Sequence, residues 1–299
     1  MDTQLYNHLS EQIRLNKFSH ATLLTSSDEV SLKIFSKLVA MTLCCENVCF
    51  NCENCVKILS NTHPDVLFYP TGKTFMVQDA LDIIENAYKK PTISEKKIFV
   101  ISNLDSSIIS QNKLLKILEE PPKNVYFILC ANNSKSILET ILSRTQSFML
   151  PPFQTEKLKQ IISSHNLSID ERIIFYAEGE LGKALSSNKK FLENYESIEN
   201  MLRNLNSSKD ISKYVHIFSS KDDFAEKLEL LSYFFRQMLY KKTNQPYYVD
   251  FDQDFSLTAI QKIQSRIISA QKKLKSNVNI NLICDNLLIG ILEEKYLWK

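Results

Sequence analysis

Three cysteines at two-residue intervals, Cys49, Cys52 and Cys55, follow the adjacent pair Cys44–Cys45, and only Cys130 and Cys284 lie elsewhere in the chain. Thiolates at that spacing can wrap a tetrahedral ion with metal–sulfur bonds near ~2.3 Å. Zinc held by four sulfurs is a closed centre that staples a loop and leaves no position open for substrate. Cys49, Cys52 and Cys55 supply three ligands and Cys44 or Cys45 the fourth; Cys44, directly after the apolar helix end at Leu43, is preferred. The same spacing opens an iron–sulfur pattern, but Val56-Lys57 follows where that pattern needs its next Cys-Pro. A set of buried free thiols is the remaining alternative.

No other stretch equips the chain for catalysis so clearly. Thr71-Gly72-Lys73-Thr74 resembles the end of a phosphate-binding loop, yet Leu67 stands where that loop needs its first glycine. A phosphate loop belongs after the first strand, and there the chain reads Ser26-Ser27-Asp28-Glu29-Val30-Ser31-Leu32-Lys33, without glycine and with two carboxylates that repel phosphate. After the apolar run Ile98–Ile101 an ATPase carries an Asp-Glu pair for Mg²⁺; this chain offers Ser102, Asn103, Leu104 and Asp105. Asp105 reads as a cap or turn residue. These absences predict that no nucleotide is bound. His63-Pro64-Asp65 reads as a tight turn that closes the cysteine segment, and Arg144, on spacing alone, reads as a solvated or ion-paired surface residue. The lysine pairs at 89–90, 96–97, 189–190, 241–242 and 272–273 are scattered, which fits a solvated surface.

The elements that must position these groups alternate in type. The runs 21–25, 65–69, 98–102 and 125–131 are short and apolar, with 148–150 a last short strand before Pro151-Pro152. Helical periodicity joins them over 30–43, 77–87 and the stretch carrying Ile109, Leu114, Leu115 and Leu118, stopped by Pro121-Pro122. This alternation predicts an α/β domain with a parallel sheet. Beyond Pro152 strands cease. Short helices are expected at 155–163 and 168–178, a loop at 204–213, and long helices through Phe224–Leu239, Ile260–Ile267 and Ile283–Leu292. The expected division is a body over 1–153 with the cysteine insertion at about 44–63, a small helical domain over 154–203 and a helical domain over 204–299. At 299 residues the chain is long enough for this.

A net charge of +2 and 44% hydrophobic residues argue against a nucleic-acid polyanion as the main partner. The N-terminus has no apolar segment of the kind that directs export, and Leu282–Leu292 is too short to span a bilayer. A cytoplasmic location with no membrane partner is therefore expected, and reduced thiols fit metal binding better than disulfides.

Three segments together resemble a known family. Asn112-Lys-Leu-Leu-Lys-Ile-Leu-Glu-Glu-Pro-Pro122, the strand Val125–Leu129, and Ile137-Leu-Glu-Thr-Ile-Leu-Ser-Arg-Thr145 are similar to the clamp-loader branch of the AAA+ ATPases. The family pattern runs N-x-L-L-K-x-L-E-E-P-P, then F-I-L, then L-x-x-T-I-x-S-R-C; Ile137 replaces its Leu and Thr145 its Cys. The cysteine segment with His63-Pro64-Asp65 resembles the zinc insertion of bacterial members, and Ser19-His20-Ala21 also fits. The resemblance implies a RecA-like AAA+ body with a zinc module, a helical lid and an all-α collar within a pentameric ring. It implies a subunit of the DNA polymerase III holoenzyme that lacks its own ATPase equipment and completes the ring that loads a sliding clamp onto primed DNA. The implied partners are ATP-binding gamma/tau-type and delta-type subunits, with the clamp and primer-template DNA reached through the complex. Arg144 matches the family's S-R arginine, which implies a finger directed in trans at a neighbour's ATP. Lys183 stands where ATP-using relatives carry an Arg on their own nucleotide. Two rival readings are an ATP-hydrolysing subunit with a divergent phosphate loop and a zinc-containing nucleic-acid-binding protein.

Overall fold

The computed structural model describes residues 3–187, 189–218, 221–251, 255–274 and 279–296. The chain divides into two compact units, Met1–Leu185 and Ser186–Lys299. The first unit is built on five parallel strands, β1 (Ala21–Thr25), β2 (Val66–Tyr69), β3 (Lys97–Ile101), β4 (Val125–Ala131) and β5 (Gln146–Met149), in the order β2-β3-β4-β1-β5. Parallel neighbours need crossover connections. These are supplied by α2 (Glu29–Cys44), α3 (Glu53–Leu59), α4 (Val77–Ala87), α5 (Ile108–Glu119) and the short α6 (Glu139–Leu142), with α1 (Thr3–Arg14) preceding β1.

Alternate residues along the central strands serve opposite faces, as the two-residue period of a strand requires. Leu24, Ile98, Val100 and Ile128 pack with Phe35 and Val39 of α2 and Leu9 of α1. Leu23, Phe99, Phe127 and Leu129 pack with Ile83 of α4 and Leu114 and Leu118 of α5. Phe99 and Phe127 stack with centroids 5.4 Å apart. Burial on both faces explains why these strands are almost uniformly apolar.

Three short helices complete the unit: α7 (Thr155–Ser164), α8 (Glu171–Tyr176) and α9 (Leu181–Ser186), around Leu158, Ile162, Ile174 and Ala184. Gly179, at φ +91°, makes their turn possible; a Cβ there would lie 2.0 Å from the carbonyl oxygen of Phe153.

The second unit comprises α10 (Lys189–Asn204), α11 (Ser208–Tyr214), α12 (Lys221–Lys242), α13 (Leu257–Leu274) and α14 (Ile280–Tyr296). Leu228, Leu231 and Phe235 of α12 are fully buried, as are Ile260, Ile263 and Ile267 of α13. One sequence expectation needs correction. The segment expected as a loop at 204–213 contains α11, started by Ser207 and by Asp210, whose carboxylate accepts the Ser207 N–H at 2.8 Å. The apolar face of α10 packs on α12, with the Tyr195 and Phe234 rings 4.9 Å apart. A parallel five-stranded body followed by an all-helical region is the AAA+ architecture the motifs imply. Among the described residues no helix is long and apolar enough to cross a membrane.

Candidate functional site

The cysteine centre sits where α2 stops. Cys45 caps the helix in an extended conformation (φ −145°, ψ 112°), its N–H donating to the Met41 carbonyl at 2.7 Å. The chain then passes through two left-handed residues, Val48 (φ 42°) and Phe50 (φ 61°), before Cys52 caps α3. Positive φ at a β-branched residue is uncommon and costs about 1–3 kcal/mol unless the surroundings hold it. A metal clip across the loop would supply that hold.

The Sγ atoms of Cys45, Cys49, Cys52 and Cys55 all lie within 4.8 Å of one another, and Cys45 and Cys49 are 3.9 Å apart. A tetrahedral ion with bonds of ~2.3 Å needs sulfur–sulfur edges of ~3.8 Å, so the donor set fits a metal ion. The preferred fourth ligand, Cys44, is corrected to Cys45. Cys44 is the last helical residue, and its Sγ turns to the Ser94 hydroxyl at 3.9 Å, where burial pushes the thiol up to about 11. Adjacent residues at a helix end point roughly 100° apart, so only one of the pair can face the loop. N–H groups of Asn51 and Cys52 draw Cys49 down to about 6, which favours the thiolate that a metal requires; burial pushes Cys55 up to about 12. His63 lies outside this group. Its Nδ1 accepts the Asp65 N–H at 3.0 Å and its Nε2 lies 3.3 Å from Asn54 Oδ1, which ties α3 to β2.

The crevice after β1 is closed by the chain itself. Asp28, only 5% exposed, caps α2: Oδ1 accepts the Val30 N–H at 3.2 Å and Oδ2 the Ser31 hydroxyl at 2.5 Å. The same carboxylate accepts the Leu181 N–H at 2.9 Å and the Gly182 N–H at 3.1 Å, the first donors of α9. In open parallel sheets this helix start is where anions are bound. Here an internal carboxylate takes the donors. A phosphate oxygen brought to ~4 Å from it would be repelled by about 4 kcal/mol at an effective dielectric of 20. Gly182 permits the approach, since a Cβ there would sit 2.6 Å from Asp28 Oδ1.

The other candidate positions are structural. Asp105 accepts the Asn133 N–H at 3.1 Å and holds the turn after β4. Thr71-Gly72-Lys73-Thr74 is the turn between β2 and α4, with the Thr71 N–H and hydroxyl both donating to Asp79 Oδ1. The Lys183 ammonium lies 4.0 Å over the Tyr176 ring.

Arg144 follows α6 and precedes β5. Its guanidinium folds back on its own unit, with Nη1 donating to the Thr140 carbonyl at 3.0 Å and Nη2 3.2 Å from Glu119 Oε2. Arg144 is half-buried (31%) and Glu119 exposed (59%), and an ion pair this open to solvent is worth about 0–1 kcal/mol. Sequence reasoning missed the double role of Asp28: Asp before a helical run signals a cap, but nothing in the sequence announces donors 153 residues away.

The chain is similar to several known proteins. Residues 1–154 match the family model described as DNA polymerase III, delta subunit. DNA polymerase III subunit delta' of Bacillus subtilis (strain 168) is 25% identical over 314 residues, 97% of this chain and 94% of the relative. DNA polymerase III subunit tau of Escherichia coli (strain K12) is 29% identical over 192 residues, which cover 60% of this chain and 30% of tau. A solved gamma subunit-related protein of Thermotoga maritima superposes with a TM-score of 0.51 at 17% identity, over 96% of this chain and 99% of that one; this likeness shows the fold alone.

Proposed function

We propose a clamp-loading role for this chain, which belongs to the DNA polymerase III delta subunit family: a delta-prime-type subunit that hydrolyses no ATP of its own. The observation that carries the reading is the Asp28 carboxylate on the donors of α2 and α9. A scaffold of the nucleotide-binding class has its phosphate position filled from within, and the strand ends offer no paired carboxylates for Mg²⁺.

Its contribution is then architectural. The helices of the second unit act as a collar in a ring with gamma/tau-type and delta-type subunits, α7–α9 act as a lid, and the complex places a sliding clamp on primer-template DNA. In the assembled ring Arg144 would leave Glu119 and reach toward ATP held by a neighbour, where a guanidinium stabilises charge on the transferring phosphoryl group. The weak pair with Glu119 is readily exchanged for that stronger partner. Cys45, Cys49, Cys52 and Cys55 would hold one zinc ion as thiolates, in the reducing cytoplasm. Zinc held by these four cysteines would supply loop stability and no chemistry.

Steady-state ATP turnover tests the reading. The chain alone is expected to show none above background, and adding it to the ATP-binding subunits is expected to raise theirs. Turnover by the chain alone that is lost in a Lys73→Ala variant would refute it in favour of the divergent-loop ATPase.

A further inference from the structure

Hydrogen bonds join the cysteine centre to a surface segment, residues 91–96, in the connection from α4 to β3. One path starts at Asn54, between the ligand positions Cys52 and Cys55. Its side-chain N–H donates to the Cys44 carbonyl at 3.4 Å, and its Oδ1 lies 3.3 Å from His63 Nε2. His63 Nδ1 in turn accepts the Asp65 N–H at 3.0 Å. The Asp65 carboxylate then accepts the N–H groups of Thr92, Ile93 and Ser94 at 2.6, 2.8 and 2.8 Å.

A second path leaves the end of α2, directly before Cys45. The last carbonyls of a helix have no partner within it, and here the segment supplies one. The Lys96 ammonium donates to the Leu43 carbonyl at 3.1 Å and lies 6.0 Å over the Tyr126 ring. The Ser94 hydroxyl lies 3.9 Å from Cys44 Sγ. Both paths therefore end on the same few residues, 92–96, from two sides of the cysteine loop.

The segment has little else to fix it. It contains neither helix nor strand, and Ile93, its one large aliphatic side chain, is 48% exposed. With no apolar burial to offset the entropy of ordering, its conformation rests on polar bonds. Those bonds end on Asp65 and on the last turn of α2, and both supports abut the cysteine loop. We propose that metal binding at Cys45, Cys49, Cys52 and Cys55 sets the order of segment 91–96, through the end of α2 and through Asn54 and His63. This inference rests on the reading of the four cysteines as a metal centre and goes beyond it: the ion governs a surface outside its own loop. Coupling of this kind travels through contiguous packed and hydrogen-bonded groups, and it is reciprocal, so the ordered segment tightens the grip on the metal.

Hydrogen–deuterium exchange of the full chain tests this, comparing zinc-loaded protein with protein stripped by a chelator under reducing conditions. The amides of Thr92, Ile93 and Ser94 are expected to exchange about fivefold faster or more after stripping, while those of β4 keep their rates. The reverse effect is read without removing the metal, by zinc competition against a chromophoric chelator. Lys96→Met keeps the apolar stem beside Tyr126 and removes the ammonium; it is expected to lower zinc affinity about fivefold or more. Lys90→Ala, exposed in the same connection and outside the network, leaves the affinity unchanged. Zinc uptake with unchanged exchange at 92–94, an equal rise over β4, or wild-type zinc affinity in Lys96→Met overturns the coupling alone. A chain that takes up no zinc overturns the metal reading itself, and the coupling with it.

Discussion

Replacing Asp28 by alanine probes the closed crevice through stability. Removing the cap on α2 costs about 1 kcal/mol, within the usual range of about 0.5–2. The change also strips the partner from the Leu181 N–H, which belongs to a residue only 8% exposed. A buried donor left without an acceptor costs about 1–3 kcal/mol, while water can take over at the half-buried Gly182. Together these give a loss of about 2–4 kcal/mol, read as the shift of the urea transition followed by circular dichroism. Asp28→Asn keeps one oxygen acceptor and should lose about half as much. Gly182→Ala adds a further check, because its Cβ meets Asp28 Oδ1 at 2.6 Å and Val30 Cγ2 at 2.9 Å. That variant should lose stability in the wild-type background and less in the Asp28→Ala background, with a coupling of about 0.5–3 kcal/mol. An Asp28→Ala loss below about 0.5 kcal/mol, or strict additivity with Gly182→Ala, would refute the idea that one carboxylate joins the two helix starts.

Two further predictions concern the same unit. Elemental analysis of purified protein should find one zinc per chain and no visible absorbance; Cys45→Ser should lose the metal and Cys44→Ser should keep it, and the reverse pattern would restore Cys44 as a ligand. Asp65 is fully buried; burial alone would raise its pKa, but N–H donors of Ile93, Thr92 and Ser94 at 2.6–2.8 Å outweigh it and hold the carboxyl below its usual value. A depressed carboxyl stabilises fully above the unfolded value near ~3.9 and loses that contribution as pH falls through the folded value. Asp65→Asn should therefore cost about 1.5–3 kcal/mol at pH 7, and its gap from wild type should narrow below about pH 4; a gap that stays constant into acid would contradict the assignment.

The body of the fold was legible because its strands are buried on both faces. Ile98–Ile101 and Val125–Ala131 have few polar residues to confuse their period, and they form β3 and β4 nearly as read. Helix α10 was hidden because Phe191, Tyr195, Ile198 and Met201 are separated by charged residues, and only packing on α12 reveals the face. The three cysteines after the helix were readable from spacing. The choice between Cys44 and Cys45 was not, because it turns on the single residue at which α2 stops. Asp28 was recognised as hostile to phosphate. Its grip on Leu181 and Gly182 depends on tertiary placement that no local pattern encodes. The Glu119 partner of Arg144 lies in the neighbouring E-E-P-P segment, but the contact requires α5 and α6 to meet.

An Arg144→Ala exchange in the assembled complex tests most directly the proposed loan of a guanidinium to a neighbour's site. Folding and assembly should be unchanged, since the half-buried side chain holds only a weak ion pair with the exposed Glu119 and bonds within its own turn. Single-turnover hydrolysis at the neighbouring site should fall on the order of 10³-fold, the scale of a lost arginine finger. Wild-type turnover from a properly assembled Arg144→Ala complex would contradict the account.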